Sequence, residues 1–297
     1  MADCIILTQA KYIVNSGSDW YIDQVLLEQL KISEALKQRG WTVLKKSWDD
    51  LEFNWSDVKF VLIREVWDYF NRFTEFEKAI HNIGLQTKII NPVAQVIWNT
   101  DKHYMLELQK KNVPIISSHF IEKTDERKLK EILSTLGWND AVVKPAISGA
   151  AKNTYRLNKN SADEIDRILR NVRNREAFML QPFMTSIMTQ GEISLMIFGG
   201  KYSHAVIKLA KKGDFRVQDD WGGTVESYEP SKEEIDFTIN AVNACEPLPV
   251  YARVDIVRDN SGDLVLGELE LIEPELWFRM NDSAADLLAA AVVKSIG

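Results

Sequence analysis

Two acidic side chains in an otherwise apolar strand constrain this chain most. The run Leu264 to Glu275, L-V-L-G-E-L-E-L-I-E-P-E, follows Tyr251 to Val257, Y-A-R-V-D-I-V, with the turn-forming cluster D-N-S-G-D between them. Side chains alternate along a strand, which predicts that Glu268 and Glu270 share a face with the apolar positions 264, 266 and 272. Residues two apart stand roughly 7 Å from each other. Burying two uncompensated carboxylates costs several kcal/mol each, so the strand calls for a cation between them. Folding the hairpin about Ser261 places Asp255 opposite position 267 or 268 and Arg253 opposite 269 or 270. Three carboxylates without His or Cys suit Mg²⁺, with Mn²⁺ as the alternative ion. A solvated acidic hairpin is the competing account, and Leu264, Leu266, Leu269 and Leu271 speak against it.

At 297 residues the chain exceeds one ordinary core and predicts two or three subdomains. A net charge of -7 disfavours a general binder of nucleic acid or anionic membranes. No apolar stretch approaches a membrane span, and the N-terminus lacks a basic leader, so a cytoplasmic protein is expected. Cys4 and Cys245 form no metal or redox spacing and read as buried thiols.

The pattern along the chain is α/β followed by α+β. Alternating strands and helices up to Asn91-Pro92 predict a small parallel sheet in residues 1–100. A helix over Asp101 to Lys111, a strand over Ile115 to Ile121 and a helix over Glu126 to Leu136 open a central block, residues 101–180. Residues 181–297 hold a mainly antiparallel sheet and a closing helix from Ala284.

Several motifs carry chemistry. Lys102, expected in a first helical turn, opposes the helix dipole unless an anion binds there. Lys144 ends the apolar strand V-V-K-P and precedes Ser148-Gly149-Ala150-Ala151, a small-residue loop whose N–H groups suit phosphate oxygens. Gln181-Pro182-Phe183 could pair backbone groups with an adenine edge, and Glu192 could accept from ribose hydroxyls. The segment G-D-F-R-V-Q, with Arg216, reads as a flap that neutralises charge on a transferred group, or as a plain hairpin connection. Arg64, Trp67, Asp68 and Tyr69 follow a parallel strand at its C-terminal end, where such sheets place ligands, although W-D-Y could equally pack against the next domain.

In this order and spacing, Lys102, V-V-K-P, L-Q-P, G-E, G-D-F-R, A-R-V-D and E-L-E resemble the ATP-grasp superfamily over about residues 90–280. S-W-D-D at 47–50, I-R-E-V-W-D-Y at 63–69 and N-P-V-A-Q-V-I-W-N-T-D-K at 91–102 are similar to the group containing the D-cycloserine biosynthetic ligase, an O-ureidoserine cyclo-ligase. The resemblance implies an ATP-grasp fold in which Lys102 and Lys144 contact phosphates, Gln181 to Phe183 the adenine and Glu192 the ribose. It further implies that Asp255, Glu268 and Glu270 hold Mg²⁺ and that Arg216 and Arg253 stabilise the transferred phosphoryl group. Glu270 departs from the Asn usual in related ligases. The implied activity is ATP-dependent joining of a small carboxylate to an amine through an acyl phosphate. A small-molecule kinase and a non-catalytic nucleotide-binding protein are the alternatives. A homodimer is compatible with the sequence.

Overall fold

The computed structural model describes residues 2–13, 19–149, 151–211 and 222–297. Arg216 and the rest of G-D-F-R-V-Q lie outside the described residues.

The first sheet follows the predicted α/β pattern. Strands β1 (Cys4–Thr8), β2 (Val43–Ser47), β3 (Phe60–Ile63) and β4 (Lys88–Ile90) run parallel in the order β2-β1-β3-β4, crossed by helices α1 (Trp20–Gln38) and α2 (Phe73–Gln86). Asp19 starts α1 by accepting from the Tyr21 N–H at 2.8 Å, and Gly40 just past its end adopts a φ of 84°. Val25, Ile32, Ala35 and Leu36 recur at helical spacing and form its buried stripe.

Helices α3 (Val93–Thr100) and α4 (Tyr104–Lys110) lead to a second sheet. The predicted helix over Asp101 to Lys111 begins at Tyr104, so Lys102 lies in the turn before it, its N–H bonded to the Ala146 carbonyl. The second sheet contains β5 (His119–Ile121), β6 (Asp140–Pro145), β7 (Tyr155–Asn158) and β8 (Phe178–Pro182), ordered β5-β8-β6-β7 and antiparallel. Helices α5 (Leu129–Leu136) and α6 (Ala162–Arg173) cover one face of it.

After the short α7 (Ser186–Thr189), strands β9 (Glu192–Phe198), β10 (Lys201–Leu209), β11 (Thr224–Tyr228), β12 (Tyr251–Arg258) and β13 (Leu264–Glu270) form an antiparallel sheet ordered β11-β10-β9-β12-β13. Helix α8 (Lys232–Asn243) packs on one face, and α9 (Ala284–Ile296) ties the other face to α1. Ile32 and Leu36 of α1 share a core with Phe198, Leu288 and Val292, which locks the first sheet onto the third.

One expectation from strand alternation is corrected. Leu264 and Leu266 lie in the same core cluster as Leu269 and Leu271, not on the face of Glu268 and Glu270. The cause is a bulge. Asp255 pairs with Glu268 but Ile256 pairs with Leu266, leaving Gly267 as an extra residue that exchanges the two faces. A Cβ on Gly267 would stand 3.3 Å from the Asp255 carbonyl oxygen.

The outer edge of β13 is also occupied. Leu266 donates its N–H to the Pro114 carbonyl at 2.9 Å and accepts from the Ile116 N–H at 3.1 Å. The strand expected over Ile115 to Ile121 therefore divides, its first residues bridging β13 and its last forming β5. Farther along, Leu269 donates to the Tyr104 hydroxyl at 2.9 Å, and the Asn99 side chain bonds the Leu269 carbonyl and the Leu271 N–H, both at 2.8 Å. Replacing Asn99 with Ala leaves two buried backbone groups unpaired. The expected cost is about 2–4 kcal/mol, read as a fall of several degrees in Tm; an unchanged melting curve would contradict this role for the edge.

Candidate active site

The three sheets enclose a cavity of about 690 Å³, within the usual range for small-molecule sites. Its floor is the β12–β13 hairpin. Asp259 orders the turn by accepting from the N–H groups of Ser261 at 2.8 Å and Asp263 at 3.0 Å. The resulting register sets Asp255 opposite Glu268 and Arg253 opposite Glu270. One oxygen from each of Asp255, Glu268 and Glu270 lies within 4.8 Å of the others.

Cations interleave with these acids. Arg253 donates to both oxygens of Asp255, at 3.0 and 2.9 Å, and pairs closely with Glu270. Lys208 bridges Asp255, at 3.0 Å, and Glu192. Lys102 reaches Glu268 at 3.2 Å and the Ser148 carbonyl at 2.9 Å. Burial opposes ionisation of Asp255, but Arg253 and Lys208 overcome it and hold the carboxyl well below the usual carboxylate range. Glu268 is likewise lowered against its burial by Lys102 and Lys144. Glu270 goes the other way: burial, with Glu268 and Asp255 adding repulsion, pushes it up to about 8 despite Arg253. Burial lowers Lys144.

This donor set fits a hard divalent cation. The three acids offer oxygen ligands, and each carboxylate keeps lone pairs beyond those its present partners use. A dication among them would also relieve the crowding that raises Glu270.

The remaining sequence-predicted residues distribute unevenly. Lys102, Lys144, Ser148, Gly149, Gln181, Pro182, Phe183, Glu192 and Arg253 all line the cavity. Gly149 has a steric reason to be glycine, since a Cβ there would meet the Phe70 ring at 2.7 Å. The Gln181 side chain turns to Ser118 at 2.9 Å, and the Phe183 carbonyl accepts from Asn260 at 3.0 Å. Trp67, Asp68 and Tyr69 line the same cavity, with Trp67 Nε1 donating to the Glu273 carbonyl at 2.9 Å. Arg64 does not join them. It is wholly buried, donating to Glu28 at 2.5 Å and to the Pro274 carbonyl at 2.9 Å. Glu28 also accepts from the Leu276 N–H at 3.0 Å, so this buried pair carries the segment that follows β13.

Several lining residues lay outside the sequence reading. Lys208 is a lone Lys in the apolar run H-A-V-I-K-L, the same signal that singles out Lys144. Trp277 holds a φ of 45°, uncommon for a bulky side chain, and its ring lies 5.1 Å from the Arg253 guanidinium. Ile116, Met184 and Ile187 form an apolar flank beside Phe183 that only the tertiary fold assembles. Glu273, two residues before Glu275, is 8% exposed.

Burial pushes the Glu273 carboxyl up to about 7. Between its ordinary value of 4.5 and about 7 the folded protein then holds a proton that the unfolded chain releases. Stability contributed by this group is complete below that window and is lost as pH rises through it. Glu273→Gln is expected to reduce the decline in ligand-free stability between pH 5 and 7.5, measured by denaturant melts; an unaltered slope would contradict the assignment.

Comparison with known proteins agrees with this architecture. Residues 4–91 match the family described as the N-terminal domain of D-cycloserine synthetase DcsG, and residues 99–272 match the RimK-like ATP-grasp domain. The cycloserine biosynthesis protein DcsG of Streptomyces lavendulae is 27% identical over 250 residues, 80% of this chain and 83% of that protein. A crystal structure of D-cycloserine synthetase DcsG superposes with a TM-score of 0.86 at 25% identity over 99% of both chains. The D-alanine–D-alanine ligase of Bacillus anthracis shares the fold, with a TM-score of 0.68 at 16% identity over 100% of this chain and 97% of that one.

Proposed function

The chain belongs to the RimK-like ATP-grasp family and is an ATP-dependent, amide-forming ligase, and from this premise we propose that it activates a small amino-acid-like carboxylate as an acyl phosphate. The observation that carries the proposal is the spacing of the three carboxylate oxygens within 4.8 Å beside Lys102, Lys144 and Arg253. Asp255, Glu268 and Glu270 would hold Mg²⁺, which when bound neutralises phosphate charge.

Lys102 and Lys144 would bind the phosphates, and Gln181, Pro182 and Phe183 would border the adenine, flanked by Ile116, Met184 and Ile187. Glu192 would face the ribose. In the first step a substrate carboxylate oxygen attacks the γ-phosphorus; the new P–O bond forms as the bond to the β-phosphate bridging oxygen breaks, and ADP leaves. In the second step an amine nitrogen attacks the acyl carbon. The C–O bond breaks, phosphate departs and the nitrogen loses a proton. Arg253, fixed by Asp255 and Glu270, would stabilise negative charge on the transferred group and on the tetrahedral oxyanion. This scheme asks the protein for position and electrostatics rather than a side-chain nucleophile. His204 fits that division, because it is buried with Nε2 facing the Leu276 carbonyl at 2.8 Å, and burial lowers its pKa. Arg216 is proposed from its motif alone as a second phosphoryl contact.

Hydroxylamine distinguishes a ligase from a kinase. With ATP, Mg²⁺ and a panel of amino acids, ureido acids and dipeptides, the expected product is a hydroxamate formed with ADP. A stable phosphoester would contradict the acyl-phosphate step. Lys144→Met is expected to weaken ATP binding by roughly 10- to 100-fold, the worth of a charge-assisted hydrogen bond; unchanged binding by calorimetry would remove Lys144 from the phosphate site.

A further inference from the structure

Glu273 is an acid of the cavity that the metal and nucleotide leave unused, and unlike Glu275, which pairs with Arg279, it holds no ion pair among the described residues. Its oxygens are not among the three that converge within 4.8 Å, and among the described residues no Lys, Arg or His comes within ion-pair distance of it. It is nevertheless 8% exposed, and a buried carboxylate without a counter-ion costs several kcal/mol. The neighbouring cations are committed elsewhere: Arg253 to Asp255 and Glu270, Lys102 to Glu268.

Aromatic side chains line the cavity together with Glu273. Trp67 donates its indole N–H to the Glu273 backbone carbonyl at 2.9 Å, and Tyr21 lies 6.0 Å from the Trp67 ring with their planes inclined at 33°. Glu273, Tyr21, Trp67 and Tyr69 all line the same cavity. A carboxylate and aromatic rings lining one cavity suit recognition of a cationic nitrogen: the carboxylate accepts its N–H groups while the ring faces attract its charge. The Tyr12 ring demonstrates the second half, with the Lys11 ammonium 4.6 Å from its centroid.

We propose that Glu273 is a specificity-determining residue that binds the ammonium group of the substrate against Tyr21 and Trp67, so that the enzyme selects a carboxylate bearing a cationic amine over its desamino counterpart. The inference rests on the ligase reading for its substrate but not for its test, because the site should bind the cation without turnover. The segment from Pro274 to Phe278 fixes the subsite from behind. Arg64 bonds the Pro274 carbonyl and Glu28 the Leu276 N–H, which makes both of them positioning residues.

The test uses primary-amine amides that lack a carboxylate (glycinamide, alaninamide and serinamide, both hands of the last two) with acetamide and propionamide as controls lacking the amine. Thermal-shift titrations are made on the whole protein, alone and with Mg²⁺ and a non-hydrolysable ATP analogue. At least one ammonium amide is expected to bind the wild type about tenfold or more tightly than its control. Glu273→Gln should abolish that preference, Glu273→Asp should retain part of it, and both variants should bind the ATP analogue within about twofold of wild type. The proposal is overturned if no ammonium amide is preferred by the wild type, if Glu273→Gln keeps the preference, or if Glu273→Gln loses the nucleotide. Failure of the wild type to bind the ATP analogue would instead strike the ligase reading, leaving the amide preference readable in the nucleotide-free protein.

Discussion

The edge of β13 decides where the chemistry of this protein can be. A strand at the end of a sheet normally leaves a row of backbone groups unpaired, and slippage by one residue would exchange its two faces. Here that edge is bound by Pro114 and Ile116, by the Tyr104 hydroxyl and by the Asn99 side chain. On the inner side the Gly267 bulge sets the phase, turning Glu268 and Glu270 to the cavity while Leu269 and Leu271 enter the core. The α3–α4 segment that carries Asn99 and Tyr104 also carries Lys102, so the contacts that register the carboxylates place a cation beside them.

Electrostatics follows from this placement. Asp255, Glu192, Glu268 and Glu270 face Lys102, Lys144, Lys208 and Arg253, and the balance is uneven along the cavity. At the Asp255 end, two cations and the Ser194 hydroxyl, at 2.6 Å, overcompensate for burial. Toward Glu270 and Glu273 burial outweighs the nearby cations, and both carboxyls are raised. The two ends therefore have different unmet needs. The proposed assignments, a divalent cation among Asp255, Glu268 and Glu270 and a substrate ammonium at Glu273, each supply positive charge where the protein itself provides too little.

Much of this was legible in the sequence because the signals were local. The parallel α/β opening followed from alternating apolar runs, and the register of Asp255 and Arg253 from the length of a turn. Lys144 and the acids of β13 stood out as charges in apolar strands. The bulge was not legible: a single Gly in a strand marks either a bend or a weak position, and here the parity of every residue before it depends on which. Arg64 was misplaced for a related reason. Strand-end position suggested a ligand contact, but its partners Glu28 and Pro274 lie 36 and 210 residues away, and burial is a tertiary property. Tyr21, Glu273 and Trp277 reach the cavity by the docking of the first sheet onto the third, which no local spacing encodes.

The central claim is that three hairpin carboxylates bind a divalent ion together with the nucleotide. Calorimetric titration of a non-hydrolysable ATP analogue across a Mg²⁺ series tests it most directly, using the wild type and Glu268→Gln. The account predicts that Mg²⁺ tightens nucleotide binding in the wild type by at least about tenfold, and that Glu268→Gln loses this enhancement while keeping metal-free affinity within a few-fold. Equal Mg²⁺ enhancement in the two proteins would contradict it.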